Sequence, residues 1–508
     1  VKNFFIKPKT GLENQNRVTF LFTQILCVIQ LFGTLNIHGQ TLAETIGAIT
    51  NDNDILTLPG EQIREVGTTQ NTIARNKFLL LDGRIIEEVN NAELQVGNVT
   101  KHPGNPLFIE DKPWEVRFDN LYGNILYDED DKIYKCWYSP FIVDSSSMGM
   151  SLNERKRKYT PPRGIREMGI CYATSHDGLK WEKPEMGLVE YQGNKQNNLV
   201  KRGPHGAGVF KDMYDPDPLR RYKMIFRGII VGFSPDGITW NNEVKIEGVN
   251  VRGDTHNNAF WAPALNKYVG ITRTFGELGR EVARIESDDF IHWTKEEIVL
   301  KAIEKDLQPY SMPVFYYGGV YLGLVSIHQQ SSDRVWTELT WSPDSKKWYR
   351  ISPGIPLIPC SEEKLAYDYG CVYACAYPIV IDGEIRLYYG GSDWLHTSWR
   401  NGSLNLAILR MDGYAGYKQI NAAVSSTVIT KKIPYKGQDI SINADILKTG
   451  GWVKVSVLDT NGNKIAKAKT VSDTATDKIL KFNKDIDLEE IKLRFEFSNA
   501  KIYSFTFN

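Results

Sequence analysis

The chain has 508 residues, with 61 basic and 61 acidic side chains, 42% hydrophobic residues and 11% aromatic ones. That length accommodates two or three domains and a core that needs no metal or disulfide to fold. The zero net charge argues against nucleic acid or an anionic membrane as the main partner, since both need unopposed Lys and Arg.

The N-terminus stands apart from the rest. Lys2, Lys7, Lys9 and Arg17 precede an apolar run over residues 18–32 (VTFLFTQILCVIQLF). A basic stretch, a short apolar core and a relaxed segment read as a secretory signal peptide over residues 1–40. The run contains Gln24 and Gln30 and falls short of the roughly 20 apolar residues of a stable span; an uncleaved anchor is the other reading. The expectation is a secreted or periplasmic protein with no membrane partner after cleavage. Cys27 leaves with the signal, and five cysteines remain. Cys136 and Cys171 sit on strand-like segments that leave room for one disulfide. Cys371 and Cys375 are four apart on one strand, roughly 13 Å, too far to bond each other. Residues 41–77 form an N-terminal extension without readable pattern.

Four segments then share one pattern: SHDGLKW from Ser175, SPDGITW from Ser234, SDDFIHW from Ser287 and SPDSKKW from Ser342. Their Trp residues are 59, 53 and 55 positions apart. In such a box the Asp accepts backbone N–H groups, the Gly position takes a positive φ, and the Trp anchors the turn against a sheet. Between boxes lie apolar hairpins beginning at Gly123, Gly208, Asn258, Pro313 and Pro378, with Asp, Asn, Gly or Pro at their turns. A hairpin plus the strands entering and leaving a box makes a four-stranded sheet of about 50 residues, the size of a propeller blade. The segment between Asp144 and Arg163, with Arg155, Lys156, Arg157 and Lys158, reads as a basic insertion in the first blade. After Asp412 the pattern gives way to six short alternating strands, which fit a β-sandwich. The predicted fold is all-β: a five-bladed β-propeller over residues 78–412 followed by a small C-terminal β-sandwich over 413–508. The strand pair at FLLLDGRIIE (from Phe78) is expected to pack on the propeller wall or to close it.

This organisation resembles secreted glycoside hydrolases of families 32, 43, 68 and 117 and their uncharacterised relatives. The phrases that carry the likeness are FLLLDGRIIEE, NPLFIEDKPWEVRFDNLYGNILYD, DPDPLRRYKMIFRG, RGDTHNNAFW, LKTGGWVKVSVLDTNGNKI and KIYSFTFN. The family 32 phrases W-M-N-D-P-N-G, R-D-P and E-C are absent in strict form, so fructoside specificity is not implied.

Glycoside hydrolysis needs two carboxyl groups across the scissile bond, and a propeller gathers residues ahead of each innermost strand into one funnel. Asp119 in RFDNLYG takes the place where the resemblance implies a nucleophile or general base, with a turn-capping role as its alternative and Glu115 in reserve. Arg252, Asp254, His256 and Asn257 (RGDTHN) form the densest polar cluster. The resemblance implies that Asp254 stabilises the transition state or tunes the acid, against a hydrogen-bonded structural loop. Glu338, ahead of a box and near Trp336 and Trp341, is the expected general acid, in competition with Glu277, Glu281 and Glu362. His205, Asp368 and His396 are the remaining expected pocket residues. Trp114, Tyr310, Tyr367 and Trp394 stand near strand starts, as stacking platforms for sugar rings or as packing between blades, the reading that covers most of them. Asp212, Asp215 and Asp217 read as turn residues. No cofactor is implied; no metal-ligand spacing is evident, although some relatives carry a channel Ca²⁺. The expected function is hydrolysis of O-glycosidic bonds in a poly- or oligosaccharide, with a carbohydrate as the partner. A non-catalytic carbohydrate-binding or scaffold propeller is the alternative. A sialidase would need an arginine triad and a Tyr nucleophile, and the sequence displays no such set.

Overall fold

The structure is a computed structural model that describes residues 76–145 and 166–508. The expected signal peptide, residues 41–75 of the extension and the basic stretch Arg155–Lys158 lie outside the described residues. Its regular structure is almost wholly strand, with two short 3₁₀ turns at Gly83–Ile85 and Pro218–Arg220.

From Asn124 onward the chain makes a series of antiparallel meanders. The first runs through Asn124–Asp128, Ile133–Tyr138, Arg166–Ser175 and Leu199–Arg202, with Phe141–Asp144 added on Arg166–Ser175. The second comprises Gly208–Lys211, Tyr222–Phe226, Ile230–Ser234 and Asn241–Lys245, and the third Asn258–Ala262, Lys267–Gly276, Gly279–Ser287 and Glu297–Leu300. A fourth centres on Val320–Gln329 and Arg334–Ser342, and a fifth on Cys371–Ala374, Glu384–Ser392 and Gly402–Arg410. These last two are joined into one sheet by a single parallel pair, Val335 with Cys371. The outer edge of the fifth is completed by Thr100–Lys101 and Phe108–Ile109 from ahead of the first.

Much of the core follows from this order, because four apolar clusters fill spaces between neighbouring meanders. Trp137 and Tyr172 of the first pack on Val209, Tyr222 and Met224 of the second. Phe210 and Ile225 pack on Tyr268 and Ile285 of the third. Phe260 and Val269 meet Tyr316, Tyr321 and Trp348 of the fourth. Ile125, Tyr134 and Cys136 pack on Cys375, Tyr388 and Leu404, so the first meander also touches the fifth and the series closes on itself.

The four boxes form the local structure their residues dictate. Asp177, Asp236, Asp289 and Asp344 each accept two backbone N–H groups through Oδ1, from the residues two and three positions on. The Gly position has φ of 71° and 77° at Gly178 and Gly237, and Phe290 and Ser345 hold the same conformation at 66° and 63°. The boxes also tie meanders together. Trp137 Nε1 donates to Gly237 O at 2.6 Å, Tyr388 Oη to Gly178 O at 2.8 Å, and Arg284 Nε to Ser345 Oγ at 3.0 Å.

Two six-stranded sheets complete the molecule, touching through Phe495 and Phe505 at 5.8 Å. Here the structure corrects two expectations. Residues Phe78 to Glu87 are no hairpin on the propeller wall: Asn76–Leu79 pairs with Ala500–Phe507 and Ile86–Asn90 with Ser426–Thr430, one in each C-terminal sheet. The Asp82-capped 3₁₀ turn between them carries the chain from one sheet to the other. Ala92–Val96 likewise pairs with Ala415–Gln419, so the N-terminal strands belong with the C-terminal ones. The disulfide is also absent, since Cys136 lies opposite Ala173 and Cys171 opposite Tyr138, and all five described cysteines are free.

Candidate active site

Three loops that precede innermost strands converge on one cavity of about 760 Å³. Its lining includes Asp119, His205, Arg252, Asp254, Tyr310 and His396, all expected site residues. Arg117, Arg166 and Arg227 also line it.

The loop carrying Asp119 is under strain. Asp119, Leu121 and Tyr122 have φ of 56°, 62° and 48°, a conformation that costs of order 1–3 kcal/mol for a non-Gly residue and concentrates at functional sites. The buried Arg400 side chain holds it in place. Arg400 Nη2 donates to Asp119 Oδ1 at 2.8 Å and to Asn120 Oδ1 at 2.7 Å, while Asn120 Nδ2 donates to Tyr122 Oη at 2.6 Å. Burial by itself would raise the Asp119 carboxyl, but Arg117, Arg400 and His205 outweigh it and the net shift is downward. The group is an anion, as a nucleophile or base requires.

His205 and Asp254 come from interlocked loops. Gly206 has φ of 62°, and a Cβ there would stand 1.7 Å from Thr255 O, so only Gly permits this approach. Asn257 Nδ2 donates to Gly206 O, Gly253 O and Thr255 O, and its Oδ1 accepts from Thr272 Oγ1 at 2.7 Å. Asn257 is therefore a brace for the loop and does not reach the cavity, contrary to expectation. His256 is also buried, with Nε2 3.1 Å from Asn124 Oδ1, and lies behind the cavity wall. The brace places His205 Nε2 3.0 Å from Asp254 Oδ1. That hydrogen bond first, then Arg273 and Arg227, holds the Asp254 carboxyl well below the usual range against the opposing effect of burial.

On the far side, Tyr310 packs edge-on against His396 at 4.8 Å. His396 Nδ1 is 2.9 Å from Tyr373 Oη, and its ring is 4.4 Å from His328; burial, helped by His328 and Arg400, keeps it neutral. A channel Ca²⁺ takes six to eight oxygen ligands, and this set of rings does not fit one. Among the described residues, no group of three or more His, Cys, Asp or Glu is placed to hold a metal.

Two expected acids lie elsewhere. Glu338 is fully buried between strands, ion-paired to Arg350 at 2.5 Å and accepting from Trp336 Nε1 and Gly354 N. It has no route to a substrate and is not the general acid. Asp368 is buried under Lys101 Nζ at 2.6 Å and Tyr389 Oη at 2.8 Å, a structural ion pair outside the cavity. Of the reserve candidates, Glu115 is tied to Lys183 at 2.8 Å and Glu362 faces solvent beside Arg334; neither lines the cavity.

Arg252 apart, the arginines of the site were not legible in the sequence. Arg227 and Arg273 flank Asp254, Arg252 lines the same cavity, and Arg117 and Arg400 flank Asp119. Arg227 and Arg273 interrupt otherwise apolar strand patterns (KMIFRG, GITRTF), which is the one local signal they leave.

No family model matches the chain, and no curated protein sequence does. Solved structures similar to it include an N-acetylgalactosamine deacetylase from F. plautii in complex with blood group B trisaccharide. It has 13% identity and a TM-score of 0.44, with 62% of this chain and 96% of that one covered. A β-1,2-mannobiose phosphorylase from Listeria innocua has 14% identity, a TM-score of 0.44 and coverage of 62% and 97%. A fructofuranosidase from Schwanniomyces occidentalis has 11% identity, a TM-score of 0.38 and coverage of 79% and 97%. Chemistry is not inherited at such identity and rests on the site itself.

Proposed function

We propose that this protein is an exported glycoside hydrolase, with the five meanders as blades of one propeller and the two remaining sheets as a sandwich behind it. One observation carries the reading: Asp119 and the His205–Asp254 pair, from loops far apart in sequence, line a single cavity. Asp119, ionised and held by Arg400, is the nucleophile or the base that activates water. The cavity carboxylates Asp119, Asp254 and Glu167 are all shifted toward their charged forms, so none is suited to donate a proton. His205, oriented by Asp254, takes the role of proton donor to the leaving oxygen.

That shared downward shift also favours a second reading, a propeller that binds glycan without cleaving it. Reducing-sugar release over a panel of plant, algal and microbial glycans separates the two. Hydrolysis predicts release by the wild-type protein and a fall of about 10²–10⁴-fold in both Asp119→Asn and His205→Gln. Binding of a glycan without release supports the second reading, and release undiminished in both variants overturns the site.

A further inference from the structure

The surroundings of Asp254 hold more positive charge than that carboxylate can balance. Arg273 is 4% exposed, and its Nε and Nη1 have no hydrogen-bond partner among the described residues. Its guanidinium stacks 4.6 Å from the centre of the Tyr310 ring, and Nη2 is 3.5 Å from Asp254 Oδ2. Arg227 Nη1 lies 3.8 Å from Asp254 Oδ1. Both separations exceed the usual 2.7–3.2 Å of an N–H···O bond, so neither guanidinium commits its donors to Asp254. Arg252 is exposed at the cavity wall with no side-chain partner among the described residues. The short contact to Asp254 is made by His205 at 3.0 Å. Two guanidiniums therefore share one carboxylate that is already engaged, and a third lines the same cavity. Clustering like charges in a partly desolvated cavity is unfavourable unless an anion enters, and planar guanidiniums with uncommitted donors match the geometry of an oxyanion.

We infer that Arg227, Arg252 and Arg273 form a subsite for an oxyanion carried by the glycan substrate, a carboxylate or a sulfate ester on the sugar next to the reacting bond. The inference rests on the hydrolase reading and narrows it from carbohydrate in general to an acidic glycan. It also gives Arg252, legible in the sequence, and Arg227 and Arg273, which were not, a ligand of defined chemistry.

Isothermal titration of the full chain tests it. The titrants are uronate-, sialate- and sulfate-bearing oligosaccharides, each paired with a neutral counterpart of the same backbone, plus inorganic phosphate and inorganic sulfate alone. The expected result is at least one acidic oligosaccharide that binds about tenfold or more tighter than its neutral counterpart. In Arg252→Gln and Arg227→Gln the ratio of the two affinities then falls toward one. Equal binding of acidic and neutral partners, or a ratio unmoved in both variants, overturns the inference and leaves the hydrolase reading standing. Binding of inorganic phosphate or sulfate without preference for any acidic glycan overturns the substrate as the source of the anion. Absence of binding by every oligosaccharide overturns the carbohydrate reading together with the inference.

Discussion

Buried charge in this molecule is organised by a joint that repeats from one meander to the next. Asp128 accepts from Lys135 Nζ of its own hairpin and from Tyr222 Oη of the next, at 2.8 and 2.7 Å. Asp212 does the same with Lys223 at 2.6 Å and Tyr268 at 2.6 Å. Asp212, read from sequence as a turn residue, does accept the N–H of Tyr214, but its second oxygen makes the joint. Both Lys223 and Asp212 are wholly buried. Removing one partner strands a charge, so Lys223→Met should cost about 3–5 kcal/mol in urea unfolding; a cost below about 1 kcal/mol would mean the joint is solvated. His256 supplies a pH signature at the same scale. Burial pushes its pKa down to about 3, so the folded protein keeps it neutral while the unfolded chain takes up a proton near pH 6.5. Its contribution is complete above pH 6.5 and falls away as pH drops toward 3, with roughly 2 kcal/mol lost between pH 6.5 and 5. Urea midpoints at pH 7.5 and 5 should therefore differ less in His256→Gln than in the wild type, and equal differences would contradict the assignment.

At the scale of elements, the ends of the described chain are held by strands rather than by covalent links. Asn76–Leu79 enters the sheet of Ala500–Phe507, where Phe78 stacks on Phe505 at 4.8 Å. Lys77 Nζ reaches Asp412 at 2.7 Å, and that carboxylate also accepts from Asn443, Ser504 and Tyr317. Deleting residues 76–96 should expose the C-terminal sheets, and limited proteolysis should then cut within 415–508 while the intact chain resists. Resistance in the deletion variant would show that these strands are dispensable. The boxes and hairpins were legible in sequence because each is a local code, and the code survives where Phe290 and Ser345 replace the usual Gly. Pairing between distant ends carries no such code, which is why the Phe78 segment was placed on the wrong sheet. Glu338 was misread for a related reason: strand periodicity separates two faces, but both faces of Arg334–Ser342 are buried, and period two cannot tell the space between sheets from the funnel.

Across the whole molecule, closure of five meanders is what turns scattered loops into a site. Arg117, Asp119 and Arg400, which meet at one carboxylate, lie at opposite ends of the ring's sequence. Asp119, His205, Arg252 and Asp254 were visible beforehand because polar residues stand just ahead of predicted inner strands. Their mutual arrangement was not visible, since no spacing in one dimension encodes an ion pair made across the ring. A glycoside hydrolase built this way must hold a sugar in this cavity. The measurement that tests it most directly is a crystal structure of the Asp119→Asn variant with an oligosaccharide identified by the glycan panel. The predicted result is a sugar ring in the cavity, in contact with both residue 119 and the His205–Asp254 pair. A glycan bound only on the C-terminal sheets, with the cavity empty, would contradict the account.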